Sequence, residues 1–169
     1  MTPLQSILSV LERLWTFLLA LFFGQTSQSK RMTTAKRLLD AYSTLSVDAI
    51  LSPLSNIRFN HQILPASLGM PARSKGDFSK HAAGITSVFD KFRMEPQQIF
   101  EDEVRNAVVI HAKMIGTLAK GMGEWENECV MIIRFDTSGD EVVEVQEFVD
   151  SHKAKMMKEK MVPKDFEKS

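Results

Sequence analysis

The chain has 169 residues, 44% of them hydrophobic and 25% charged, which suits one globular domain with a core of its own. Its formal net charge of +0 excludes a bulk electrostatic attraction to nucleic acid. A single cysteine, Cys129, excludes an internal disulfide and any cysteine-based metal cluster, and reads as a small buried apolar residue.

Residues 1–31 differ from the rest. Leu14–Phe23 is an apolar run broken only by Thr16, and Gly24–Ser29 is a small, polar linker. Ten residues are too few to span a bilayer, which takes about 20. Three readings stay open: a secretory signal, an interfacial helix touching a membrane through residues 4–23, or a dispensable stretch upstream of a start at Met32. The last implies a cytoplasmic protein, and the others the secretory pathway or a membrane-associated one. Residues 32–169 are expected to form the working domain with its C-terminal helix, and residues 1–31 to pack little against it.

Thr33 or Thr34 can cap a first helix, whose apolar positions Ala35, Leu38, Leu39 and Tyr42 recur at helical spacing. Tyr42 falls on that stripe, so its hydroxyl needs a partner: a structural hydrogen bond or a ligand carbonyl. Ser46 caps a short second helix that Pro53 stops. Asn56–Leu64 then alternates as a strand, with Ile57, Phe59, His61 and Ile63 on one face. His61 thus joins an apolar row, as a satisfied core histidine or as an acid–base group near neutral pH.

Pro65–Arg73 reads as a loop, and Ser74 with Asp77 as a capping box. The long helix it opens is expected to carry Phe78, Ala82, Ile85, Phe89 and Phe92 on its buried stripe, with His81 at the flank. Four strands follow: Met94–Glu101, Arg105–Leu118 and the two of a long hairpin around Asp136–Asp140, where Gly139 is free to take positive φ. In the strand from Arg105, Val108, Ile110, Ala112 and Met114 face the core, and His111 faces outward. In the hairpin, the inner faces are Trp125, Asn127, Cys129, Met131, Ile133 and Phe135, then Val143, Val145, Glu147 and Val149. A one-residue bulge would reverse the assignment beyond it. Two polar residues, Asn127 and Glu147, therefore point inward, and an unpartnered buried polar group costs roughly 1–3 kcal/mol. Asp150 is the reserve for Glu147 if the register inverts. Ser151 is expected to cap a last, basic helix over Lys153–Met161.

The element order resembles the nuclear-transport-factor-like fold shared by ketosteroid isomerase and the SnoaL-like polyketide cyclases. The likeness covers about Thr33–Met161, and Ile63–Gly69, Glu124–Glu128 and Glu147–Ser151 are similar to motifs of small fungal SnoaL-like proteins, some of them meroterpenoid isomerases. The resemblance implies an α+β cone, a bent antiparallel sheet wrapped over helices. It also implies frequent homodimers through the outer sheet face, no cofactor, and acid–base chemistry on a small lipophilic molecule. No metal is expected either, since the outward row Glu124, Glu126 and Glu128 reads as a solvated acidic face. By position, Tyr42 matches the oxyanion-hole tyrosine of ketosteroid isomerase, and His61 stands on the strand that carries that enzyme's aspartate base. Two functions stay open. In the first, His61, oriented by Glu147, moves a proton on a polyketide- or terpenoid-like metabolite while Tyr42 and Asn127 bind the developing enolate oxygen, as in an isomerase, cyclase or dehydratase. In the second, the domain binds a lipophile or dimerises without catalysis.

Overall fold

The computed structural model describes residues 28–161. The signal and membrane-contact readings of residues 4–23 lie outside the described residues. Helix α1 spans Lys30–Ser43, α2 Val47–Leu51, strand β1 Asn60–Leu64, β2 Arg73–Ser74 and α3 Lys75–Thr86. Strands β3 (Phe89–Asp102), β4 (Ala107–Leu118), β5 (Gly123–Phe135) and β6 (Val142–Val149) follow, and helix α4 is Ser151–Met161. The described residues form a six-stranded sheet in the order β2-β1-β6-β5-β4-β3. It is the expected α+β cone, a curled sheet with helices over its inner face. One pairing departs from the antiparallel expectation: β1 runs parallel to β6, so the sheet is mixed.

Helix α1 starts earlier than its sequence suggests. Ser29, not Thr33 or Thr34, is the N-cap, its Oγ accepting from the Met32 N–H at 3.1 Å. Ser29–Arg31, expected to be linker, are therefore tied to the domain. Arg31 pairs with Glu101 at 2.8 Å, and Thr34 donates to the Gly139 carbonyl at 2.9 Å. Ala35, Leu38 and Leu39 are buried as the spacing predicts. Burial of each leucine contributes about 1.5–3 kcal/mol, which holds α1 over β3 and β4.

Strand β1 is shorter than expected. Residues 56–59 lie ahead of it, and Ile57 is 94% exposed instead of facing inward. The chain is pinned there by other contacts: Ser55 N–H donates to the Val142 carbonyl, and Lys75 Nζ holds both the Leu54 carbonyl and Asn56 Oδ1. Phe59, His61 and Ile63 are buried.

The capping box at Ser74 forms as expected, with Ser74 Oγ accepting from the Asp77 N–H at 3.3 Å and donating to its carboxylate at 2.7 Å. Helix α3 then stops at Thr86, and Phe89 and Phe92 belong to β3. Their spacing fitted a helical stripe, but on β3 they pack instead against Trp125 of β5, with Phe89 5.4 Å from it centroid to centroid. Gly116 on β4 makes the room: a Cβ there would stand 2.5 Å from the Phe89 ring. Pro96 is tolerated because β3 is an edge strand, with an irregularity between Pro96 and Gln98.

The β5–β6 hairpin has the expected loop, with Gly139 at φ 79°. A bulge between Arg134 and Phe135 moves the start of β6, so Val142 is fully buried and Val143 only partly so. Beyond it, Val145, Glu147 and Val149 pair with Ile133, Met131 and Cys129 and face inward as expected. Asp150 lies past the sheet and is exposed. Its Oδ1 accepts from the His152 and Lys153 N–H groups, so Asp150, not Ser151, caps α4.

Candidate active site

His61 is delivered to the inner face by the alternation of β1 and is 1% exposed. Its neighbours are β6, with which β1 pairs in parallel, and helix α3, whose Phe78 ring lies 4.6 Å away at 43°. Glu147 reaches across from β6, with Oε2 3.5 Å from His61 Nε2. The other ring nitrogen, Nδ1, is buried and has no hydrogen-bond partner.

Two further residues stand at this end of the sheet that the sequence did not suggest. Arg73 is the cross-strand partner of His61 in the β1–β2 pair, so the two side chains leave the same face. Its Nη1 is also buried and unpartnered; these are the two such atoms found among the described residues. Burial holds the Arg73 guanidinium below its usual range, while the charges of Glu147 and Asp77 pull it back up. His81, on α3, has its ring 5.9 Å from that of His61. Burial, then the nearby Arg73 and His61, push it down to about 4, against an opposing pull from Glu147, so it is neutral at neutral pH. Phe78, His81, Ala82 and Ile85 share one helical face, so the spacing could have revealed His81. Arg73 had no such signal, since its direction is set by a two-residue strand.

Tyr42 is half-buried on α1, its ring 6.3 Å from that of Phe92. Burial, reinforced by the Glu147 charge, pushes its phenol well up, so it keeps its proton. Asn127 is buried on β5, and its Oδ1 accepts from the Glu128 N–H at 2.8 Å. Four positions along β5 separate it from Met131, the residue level with Glu147, or about 13 Å of strand. The structure thus brings His61 and Glu147 into contact and places Tyr42 in the field of Glu147, while the Asn127 side-chain oxygen is bonded within its own strand. His111 points outward as expected, toward Glu128 at 2.5 Å. Among the described residues, no group of three or more His, Cys, Asp or Glu side chains is placed to hold a metal ion.

No family model matches the chain. Solved structures do share its fold. BvnE pinacolase from Penicillium brevicompactum matches with a TM-score of 0.72 at 23% identity, over 77% of this chain and 89% of BvnE. An NTF2-like protein from Burkholderia pseudomallei matches with a TM-score of 0.62 at 14% identity, over 79% of this chain and 99% of that one. The chain has the nuclear-transport-factor-like fold that these structures share. Its sequence relatives are proteins of fungi. Monooxygenase AgnL5 of Paecilomyces divaricatus is 30% identical over 93 residues, 55% of this chain and 56% of AgnL5, so the match spans little more than half of that relative. Austinoid biosynthesis clusters protein J of Emericella nidulans is 28% identical over 130 residues, 75% of this chain and 78% of that protein. BvnE and AgnL5 carry the names of different chemistries, so likeness to either does not fix the reaction of this chain.

Proposed function

We propose that this chain is a cofactor-independent isomerase or cyclase that moves a proton on a small lipophilic metabolite, polyketide- or terpenoid-like. The observation that carries this reading is the state of His61. Glu147 accepts the Nε2–H, which fixes the tautomer and leaves the Nδ1 lone pair as a buried base without a partner. A proton taken from carbon next to a carbonyl makes an imidazolium beside Glu147 and an enolate in the site, and return of that proton at another carbon completes an isomerisation. Tyr42, its proton held by burial and lying in the field of Glu147, is a donor for the enolate oxygen, whereas Asn127, about 13 Å of strand from the residue level with Glu147, takes no part in this step. The kinship with a protein of a named biosynthetic cluster supports a metabolite as substrate.

The test uses a β,γ-unsaturated cyclic ketone, whose move into conjugation is read by ultraviolet absorbance. His61→Ala should slow it by roughly 10²–10⁴-fold while circular dichroism stays native. An unchanged rate in that variant overturns the assignment of His61.

A second reading, a binding or dimerisation domain without turnover, draws on Asn127, whose Oδ1 is already satisfied by its own strand. Absence of turnover in the wild-type protein would favour it. On either reading we infer a homodimer through the outer sheet face. There Phe100, Val109 and Ile132 form one register row, next to a row holding Val130 and Phe148, and Phe100 and Phe148 are 60% and 44% exposed. Light scattering should show twice the chain mass at micromolar concentration, and a monomer there rejects the interface.

A further inference from the structure

We propose that Arg73 is the anchor for an anionic oxygen in this site, and that the ligand class it selects is an enolisable carbonyl compound bound by that oxygen. The inference rests on the reading of His61 as the proton carrier. Arg73 and His61 are Cα partners across β1 and β2, so their side chains rise side by side from the inner face. Each presents a buried nitrogen without a hydrogen-bond partner, a donor on Arg73 and an acceptor on His61 in the tautomer that Glu147 fixes. Buried polar groups are otherwise almost always matched, so two orphans on adjacent residues point to a ligand that supplies one acceptor and one acidic proton.

The charges around Arg73 support this. Among the described residues no carboxylate lies within ion-pair distance of its guanidinium: Asp77 accepts from Ser74 Oγ at 2.7 Å, and Glu147 stands at His61. Arg73 feels both at longer range. His81 is neutral here and does not compete for an anion. When the proton passes from ligand carbon to His61 Nδ1, two charges appear together. The imidazolium forms against Glu147 and the enolate oxygen against Arg73, each beside a fixed charge of opposite sign and with no change in net charge. A guanidinium suits this role because its planar fork holds an oxygen in a set direction and stays protonated.

The probe is 4-nitrophenol, whose phenolate and phenol differ in visible absorbance, with 4-nitroanisole as its uncharged analogue. Folded wild-type protein should bind the phenolate and lower the apparent pKa of the bound phenol. Arg73→Gln should weaken phenolate binding by about 10- to 100-fold, the usual worth of a hydrogen bond to a charged group. Its affinity for 4-nitroanisole should stay the same, which a merely structural role would not predict. Arg73→Lys should restore part of the loss, as a point charge without the fork. Three results each overturn the anchor: wild-type protein that does not bind the phenolate, equal phenolate affinity in Arg73→Gln, or an equal loss for nitroanisole. If the phenolate binds through Arg73 while wild-type protein leaves the β,γ-unsaturated ketone untouched, the anchor stands and the isomerase reading falls.

Discussion

The inner face of the sheet has two ends built on different physics. At the end shared by β3 and β5, rings meet rings: Phe89 lies 5.1 Å from Phe92 and 5.4 Å from Trp125, and Phe92 lies 6.3 Å from Tyr42. At the end made by β2, β1 and β6, titratable groups gather around His61, and two of their nitrogen atoms remain unmatched. Local rules that agree at one end are broken at the other. Such violations collect at functional sites, where stability is given up for reactivity.

The largest effect should follow from damage to the aromatic end. Phe89→Ala removes a buried ring that touches two others and leaves Gly116 facing a hole. It should lower stability by about 3–5 kcal/mol in urea denaturation. A loss below about 1 kcal/mol would show that the two ends do not divide the work as described.

A smaller effect should appear at the polar end, and only in acid. His81 in the folded chain sits at about 4, against 6.5 for an ordinary histidine. The unfolded state therefore binds the proton more readily. The contribution of neutral His81 is complete above about pH 6.5 and is lost as pH falls toward about 4. The loss should be about 1–3 kcal/mol, and His81→Gln should flatten the melting temperature across that window. Asp136 does not confuse the measurement. The Ser138 hydroxyl and the Glu141 N–H hold it down to about 2, so its own loss begins only below its ordinary 3.8. A profile equally steep in His81→Gln would place the acid sensitivity elsewhere and sharpen the comparison against this end.

Much of the frame was legible because alternation is a strong signal once one face is buried. The inner row of β5, the core row of β4 and the inward turn of His61 and Glu147 all follow from period two. What was not legible depended on contacts remote in sequence. Phe89 and Phe92 fitted a helix of period 3.6 and were claimed for β3 by Trp125. Val142 displaced Val143 because a bulge of one residue cannot be seen in composition. Ser29 became the cap of α1 because its Oγ also donates to Glu101, at 2.7 Å, across the fold. Arg73 was invisible for the same reason, whereas His81 could have been read from the face it shares with Phe78.

The parallel pairing of β1 with β6 also bears on the order in which the molecule comes together. His61 and Glu147 are 86 positions apart, and all of β3, β4 and β5 lies between them. Hairpins such as β4–β5 and β5–β6 can close early from neighbouring segments, but β1 must wait for β6, because a distant pairing bears the larger loop-closure entropy. His61 therefore meets its carboxylate only when nearly the whole domain has been threaded. A chain caught part-way has His61 without its carboxylate, so the His61–Glu147 contact arrives with the closing strand and serves as a mark of finished folding.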